Sequence, residues 1–193
     1  MPFYYPNWIN DFWRIMGLIH FGDKDHFCVP GEKRFDETAI RAFCTSEGLA
    51  FYDTACEVRR LRDNASDAFL EVVTPTDVPA LLRQIPLCNT LVTTGQKATE
   101  VIATEFGCEV PPVGGSTAIF LPCPDRTSHP ETLPETLSET LSDTRLETPD
   151  QTPLPETPTP RPIRFWRMPS TSRAYPLPLD KKTEIYRRLF LSE

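Results

Sequence analysis

Thr90-Leu91-Val92-Thr93-Thr94-Gly95-Gln96-Lys97-Ala98-Thr99-Glu100-Val101-Ile102-Ala103-Thr104-Glu105-Phe106-Gly107 reads as a buried strand that turns through a glycine into a helix. Residues 90–93 form the strand. Beyond Gly95, the side chains Ala98, Val101, Ile102 and Phe106 recur at helical spacing and make an inner face, and Gly107 supplies the stop. A strand that passes directly into a helix is the building unit of α/β proteins.

The same alternation extends in both directions. Upstream, residues 10–20 place Phe12, Ile15, Met16 and Ile19 on one face of a first helix. A second helix starts with Asp36 as N-cap, buries Ile40, Phe43 and Cys44, and stops at Gly48. Residues 49–52 read as a strand and the basic stretch 57–66 as a loop. A third helix begins near Thr76-Asp77 and buries Val78, Leu81, Leu82 and Ile85. Downstream, strands are expected at 117–121 and 163–168, with a last helix over 180–190 carrying Ile185, Leu189 and Phe190 inward. The pattern predicts an α/β fold, a three-layer αβα sandwich with a mostly parallel central sheet. Ligands of such sheets bind outside the carboxyl ends of the strands, here Thr94-Gly95-Gln96-Lys97 and Pro169-Ser170-Thr171-Ser172-Arg173.

Between the last two strands lies a segment of different character. Residues 124–162 run through ETLP-ETLS-ETLS-DTRL-ETPD and TPLPETPTPRP and hold nine of the 21 prolines, so they are expected to be a disordered, low-complexity insert. The expected organisation is thus one domain in two parts, 1–123 and 163–193, interrupted by residues 124–162. The insert carries eight acids against three arginines, five of the seven net negative charges of the chain. The remainder is nearly neutral, so the net charge does not exclude a nucleic-acid partner.

The 193 residues can bury one core, and 39% hydrophobic with 24% charged residues is ordinary for a soluble fold. Six scattered cysteines without a C-x-x-C pair, and three histidines, indicate neither a zinc site nor a disulfide framework, as expected in a reducing cytoplasm. No apolar stretch is long enough to span a bilayer. The expectation is a cytoplasmic monomer without metal, cofactor or membrane contact.

Two segments have chemistry-bearing composition. The run from Ser170 to Arg173 is dense in hydroxyls with no histidine or carboxylate beside it, which taken alone reads first as a turn capped by its own hydroxyls and second as a phosphodiester-binding segment. Phe3-Tyr4-Tyr5-Pro6-Asn7-Trp8 offers aromatic faces that can stack on nucleobases or pack as a lid over the core, and Asn10 has a separate reading as helix N-cap.

Four blocks, in order, resemble the mismatch-specific uracil and thymine DNA glycosylases of the uracil-DNA glycosylase superfamily. Phe3-Tyr4-Tyr5-Pro6 with Asn10-Asp11-Phe12-Trp13 is similar to that family's F-x-H-P…N-R-F-W segment, with two extra residues in between. Tyr52-Asp53-Thr54-Ala55, followed by the arginines from Arg59 onward, resembles its strand and arginine-containing loop. Thr94-Gly95-Gln96-Lys97-Ala98 resembles its L-G-K-Q-A turn. Phe165-Trp166-Arg167-Met168-Pro169-Ser170, with Leu179-Asp180-Lys181 and Tyr186-Arg187, resembles its W-V-L-P-N-P-S…L-E-K…A-Y-R ending.

The resemblance implies a DNA-repair enzyme that flips uracil or a related aberrant base from DNA and hydrolyses its N-glycosidic bond. It implies base-binding roles for Phe3, Tyr5 and Asn10, and DNA-binding roles for Ser170, Thr171, Ser172 and Arg173. It implies no metal and no cofactor. The family's water-positioning loop follows a first strand that would precede Phe3, so the chain reads as N-terminally truncated and its catalytic residues stay unassigned. Met168 occupies the family's second polar position, where it offers no proton. The alternative is a non-catalytic DNA- or nucleobase-binding remnant of the same fold.

Overall fold

The computed structural model describes residues 3–60, 70–121 and 160–191. Within them the elements run α1 (Phe12–His20), α2 (Glu37–Ser46), β1 (Ala55–Arg60), β2 (Leu70–Pro75), α3 (Val78–Gln84), β3 (Thr90–Thr94), α4 (Gln96–Glu105), β4 (Gly115–Leu121), β5 (Arg161–Met168) and α5 (Leu179–Leu191). This is an α/β fold. The expected disorder of residues 124–162 falls almost entirely outside the described residues, as does most of the expected loop 57–66.

The strand-to-helix unit at residues 90–107 forms as expected. Gly95, at φ +96°, makes the sharp turn between β3 and α4, a conformation L side chains rarely adopt. Buried Thr99 in α4 hydrogen-bonds the Gly95 carbonyl at 2.6 Å and Thr93 Oγ1 at 2.9 Å, tying the first turn of the helix to the strand. The two predicted caps also form: Asp36 accepts from Ala39 N–H at 3.0 Å to start α2, and Asp77 accepts from Ala80 N–H at 2.8 Å to start α3.

The sheet differs from the mostly parallel one expected. Its described strands are ordered β3-β5-β4, with β5 parallel to β3 and antiparallel to β4. The antiparallel pairing sets Leu121 opposite Arg161, so the chain leaves and returns at the same end of the sheet. No crossover is then required between β4 and β5, and crossovers are what make neighbours parallel. Residues 161 and 162, placed in the insert by composition, belong to β5. Arg161 donates to the carbonyls of Leu82 at 2.7 Å and Cys88 at 3.0 Å and to Pro86 O, closing the C-terminal end of α3.

Two further expectations are corrected. Residues 49–52 are not a strand. Leu49 and Phe51 do turn inward while Ala50 and Tyr52 face solvent, but the segment finds no ladder partner among the described residues, and alternation without one does not make a strand. Conversely, β1, read as loop because of its charge, pairs antiparallel with β2 through Val58↔Val72 and Arg59↔Glu71, with a bulge near Cys56. This two-stranded ribbon is a sheet separate from the three-stranded one.

Core packing divides at β5. Trp166 and Met168 join an aromatic cluster with Phe12, Trp13, Phe27, Phe43 and Tyr186 from α1, α2, α5 and the loop between the first two. Ile163 and Phe165 join an aliphatic cluster with Val78, Leu82, Ile102 and Ile119 from α3, α4 and β4. The alternation follows from the period of two along a strand. No helix among the described residues is long and apolar enough to cross a membrane.

Candidate functional site

β3 and β5 run parallel, so their carboxyl ends open at the same place. Gly95 N–H donates to Met168 O at 3.0 Å, and a Cβ built on Gly95 would sit 3.8 Å from the Ser170 Cβ. The two segments singled out at strand ends, 94–97 and 169–173, are therefore neighbours.

The start of α1 is joined to the same place. Asn10 and Ser172 form an antiparallel bridge, and Asp11 N–H donates to Thr171 O at 2.9 Å. The Asn10 side chain accepts from Phe12 N–H at 2.9 Å, a capping role that leaves Asp11, the residue just before the helix, without a cap bond of its own. Asp11 is instead buried, 6% exposed, and holds two cations: Lys182 Nζ at 3.0 Å through one oxygen and Arg173 Nε at 3.1 Å through the other. Lys182, 1% exposed, also donates to Ser172 O at 2.8 Å. Tyr186 O–H donates to Pro169 O at 2.8 Å. Burial pushes the Tyr186 hydroxyl well above its ordinary pKa of 10, so it stays a donor.

These contacts fix the 169–173 turn on both sides while leaving parts of it accessible. Thr171 is buried, whereas Ser172 and Arg173 are exposed and Ser170 is half-buried. Ser170 Oγ accepts from Ser172 N–H at 3.3 Å and Ser172 Oγ from Ala174 N–H at 3.2 Å, so the hydroxyls also shape the turn they belong to.

The N-terminal aromatics are distributed differently. Tyr5 stacks on Phe12 with ring centroids 4.4 Å apart, and its hydroxyl meets Thr94 Oγ1 at 2.8 Å, beside the strand ends. Burial raises its pKa too. Its φ of +55° is an uncommon left-handed conformation for a tyrosine, held by those two contacts. Phe3 instead lines a cavity of about 520 Å³ with Tyr4, Trp13, Ile40, Leu49 and Phe51. Arg173 lines another, of about 410 Å³. The structure thus brings Tyr5, Asn10 and residues 170–173 to one end of the sheet and sets Phe3 on a separate cavity.

Residues that the sequence did not single out complete the picture. Lys182 lies on the inner face of α5, three and four positions from Ile185 and Tyr186, and helical spacing alone would have flagged it as an inward-facing cation. Arg14, 5% exposed in α1, donates through Nη1 to Trp8 O at 2.9 Å and Asn10 O at 3.2 Å, and its guanidinium lies 4.2 Å from the Trp8 ring. Among the described residues no three His, Cys, Asp or Glu side chains gather as metal ligands. Compared with family models, with curated proteins and with solved structures, the chain matches none.

Proposed function

We propose that the chain is a DNA-binding domain of the uracil-DNA glycosylase type that grips the phosphodiester backbone with Ser170, Ser172 and Arg173. The observation that carries this reading is the pinned turn at the joint carboxyl ends of β3 and β5. A turn held by the Asn10–Ser172 bridge and the Asp11 ion pairs loses little freedom when it binds, and it offers hydroxyls, backbone N–H groups and one cation to a phosphate. The three-layer sandwich belongs to this proposal; it is supported by the way β5 sends alternate side chains into two clusters.

Excision of uracil is the narrower form of the reading. It would need a water held against the sugar by a polar group, and the position beside Pro169 that could face the base is Met168, which is fully buried in the aromatic cluster. Binding without cleavage is therefore the form we favour.

Fluorescence anisotropy with labelled single- and double-stranded oligonucleotides, with and without uracil, tests the binding. Arg173→Ala should weaken it for all sequences alike and flatten the salt dependence by about one charge. Alkali treatment of the same mixtures tests excision. Affinity that ignores salt and Arg173 would remove the DNA reading, and strand scission at uracil would replace binding by catalysis.

A further inference from the structure

We propose that the cavity of about 410 Å³ between the start of α1, the 21–27 loop and the segment leading into α5 is a binding site for a phosphate group. The proposal is separable from the DNA reading, because Arg14 and Lys24, on which it turns, play no part in that reading.

The charge balance comes first. Four cations, Arg14, Lys24, Arg173 and Lys182, line the cavity against two carboxylates, Asp11 and Asp25, leaving two net positive charges in a chain whose total is −7. Asp11 already bridges Lys182 and Arg173, so it cannot also neutralise Arg14 or Lys24. Arg14 and Lys24 have no ion-pair partner among the described residues.

Arg14 supplies the independent observation. Arg14 is only 5% exposed and lines the cavity; Nη1 donates to the protein, while Nε and Nη2, with no hydrogen-bond partner among the described residues, keep their contact with solvent. Trp8 and Phe35, 4.2 and 5.1 Å from the guanidinium carbon, brace it from the protein side. The Nε and Nη2 donors of this braced fork can reach two oxygens of one phosphate. A guanidinium held this close to the core without a carboxylate partner gains a charge-assisted contact when an anion binds.

The 21–27 loop is set for the purpose by Gly17. A Cβ there would fall 2.3 Å from the Asp23 carbonyl oxygen, so only glycine lets the loop approach α1 and bring Lys24 and Asp25 to the rim. The cavity also exceeds what inorganic phosphate fills, and Leu177, Pro178 and Leu179 form an apolar wall beside the cations. The expected ligand is a phosphate carried on an organic group, from either a mononucleotide or a DNA backbone. A phosphomonoester, with a charge near −2 at neutral pH, matches the site's net charge.

Calorimetric titration of the full chain with inorganic phosphate, thymidine 5′-monophosphate and octathymidylate, at constant ionic strength in chloride, tests this. Lys24→Ala should weaken phosphate and monophosphate binding about threefold, and Asp25→Asn should strengthen it about threefold, both being exposed residues of one loop. Arg14→Met should weaken binding tenfold or more. If that variant does not fold, the two loop variants still decide. Monophosphate bound more tightly than phosphate identifies a mononucleotide occupant, whereas octathymidylate affinity that tracks the same variants identifies the backbone. If no phosphate compound binds above the chloride background, or if the loop variants change nothing, the proposal is overturned. DNA binding that responds to Arg173→Ala but not to Lys24→Ala or Asp25→Asn would overturn it too and leave the DNA reading standing.

Discussion

The two clusters that meet at β5 have different characters. On the side of Ile163 and Phe165 the buried groups are mostly aliphatic, and the buried hydroxyls Thr93 and Thr99 are satisfied by each other and by the carbonyls of Trp166 and Gly95. On the side of Trp166 and Met168 the core is aromatic and edged by buried charge: Asp11, Arg14 and Lys182 sit at its border, and both cavities open against it. Aliphatic packing carries no obligation beyond excluding water, whereas each buried ion or hydroxyl must find a partner. The first cluster can therefore serve stability alone, while the second holds groups whose remaining valence is available to a ligand.

The largest expected effect lies on the aromatic side. Asp11→Ala leaves Lys182 buried without a counter-ion and should cost about 3–5 kcal/mol in urea unfolding, and Asp11→Ala combined with Lys182→Met should recover much of that loss. If the single substitution proves nearly neutral, the charged border is not a structural element and the contrast between the clusters fails.

Ile163→Ala, on the aliphatic side, should cost about 2–5 kcal/mol by opening a cavity. Under conditions where the variant stays folded, affinity for phosphate or DNA should match that of the parent chain. A change in affinity without loss of fold would show that the two sides are coupled.

The pH dependence sharpens the same distinction. Tyr186 is held protonated by burial, with a pKa well above 10, and Tyr5 is shifted in the same direction. Once pH exceeds the ordinary value of about 10, the unfolded chain loses these protons while the folded one keeps them, so the contribution of these two tyrosines to stability is constant below about pH 10 and is lost above it. Tyr186→Phe should remove part of that alkaline loss and cost about 1–3 kcal/mol at neutral pH through the Pro169 carbonyl it leaves unpaired. Tyrosinate absorbance is the direct readout: Tyr186 should ionise only as the protein unfolds.

The smallest effects should not distinguish the clusters. Asp36→Ala at α2, beside the aromatic cluster, and Asp77→Ala at α3, beside the aliphatic one, each remove one cap bond and should each cost about 1 kcal/mol by thermal melting. Unequal costs would mean that a cap feels more than its own helix.

Much of this architecture was legible before any coordinates. The caps at Asp36 and Asp77 and the turn at Gly95 are set by residues within one helical turn of each other, and so are the helix faces in outline; but Ile85, expected to be buried, lies beyond the end of α3 and is 41% exposed, and α4 buries Thr99 and Ala103 beside Ile102 in place of Ala98 and Val101. The candidate turn at 170–173 was likewise visible, because hydroxyl density following a strand is a local property. The strand expected at 49–52, the ribbon formed by β1 and β2, and the antiparallel entry of β4 were not, because a strand exists only through a neighbour distant in sequence. The assignment of Arg161 to the insert failed for the same reason: its partners lie more than 70 residues away.

By itself the amino-acid sequence determined which stretches are helical and, within a few residues, where they start and stop, since these depend on short-range periodicity and on capping. Tertiary structure alone decided that Asp11 is spent on Lys182 and Arg173, that Arg14 keeps donors in hand, and that Phe3 belongs to a different cavity from Arg173. A charged residue shows its partner only when the chain is folded, because Coulomb and hydrogen-bond energies depend on separation in space and on exclusion of water, neither of which is written in the order of residues.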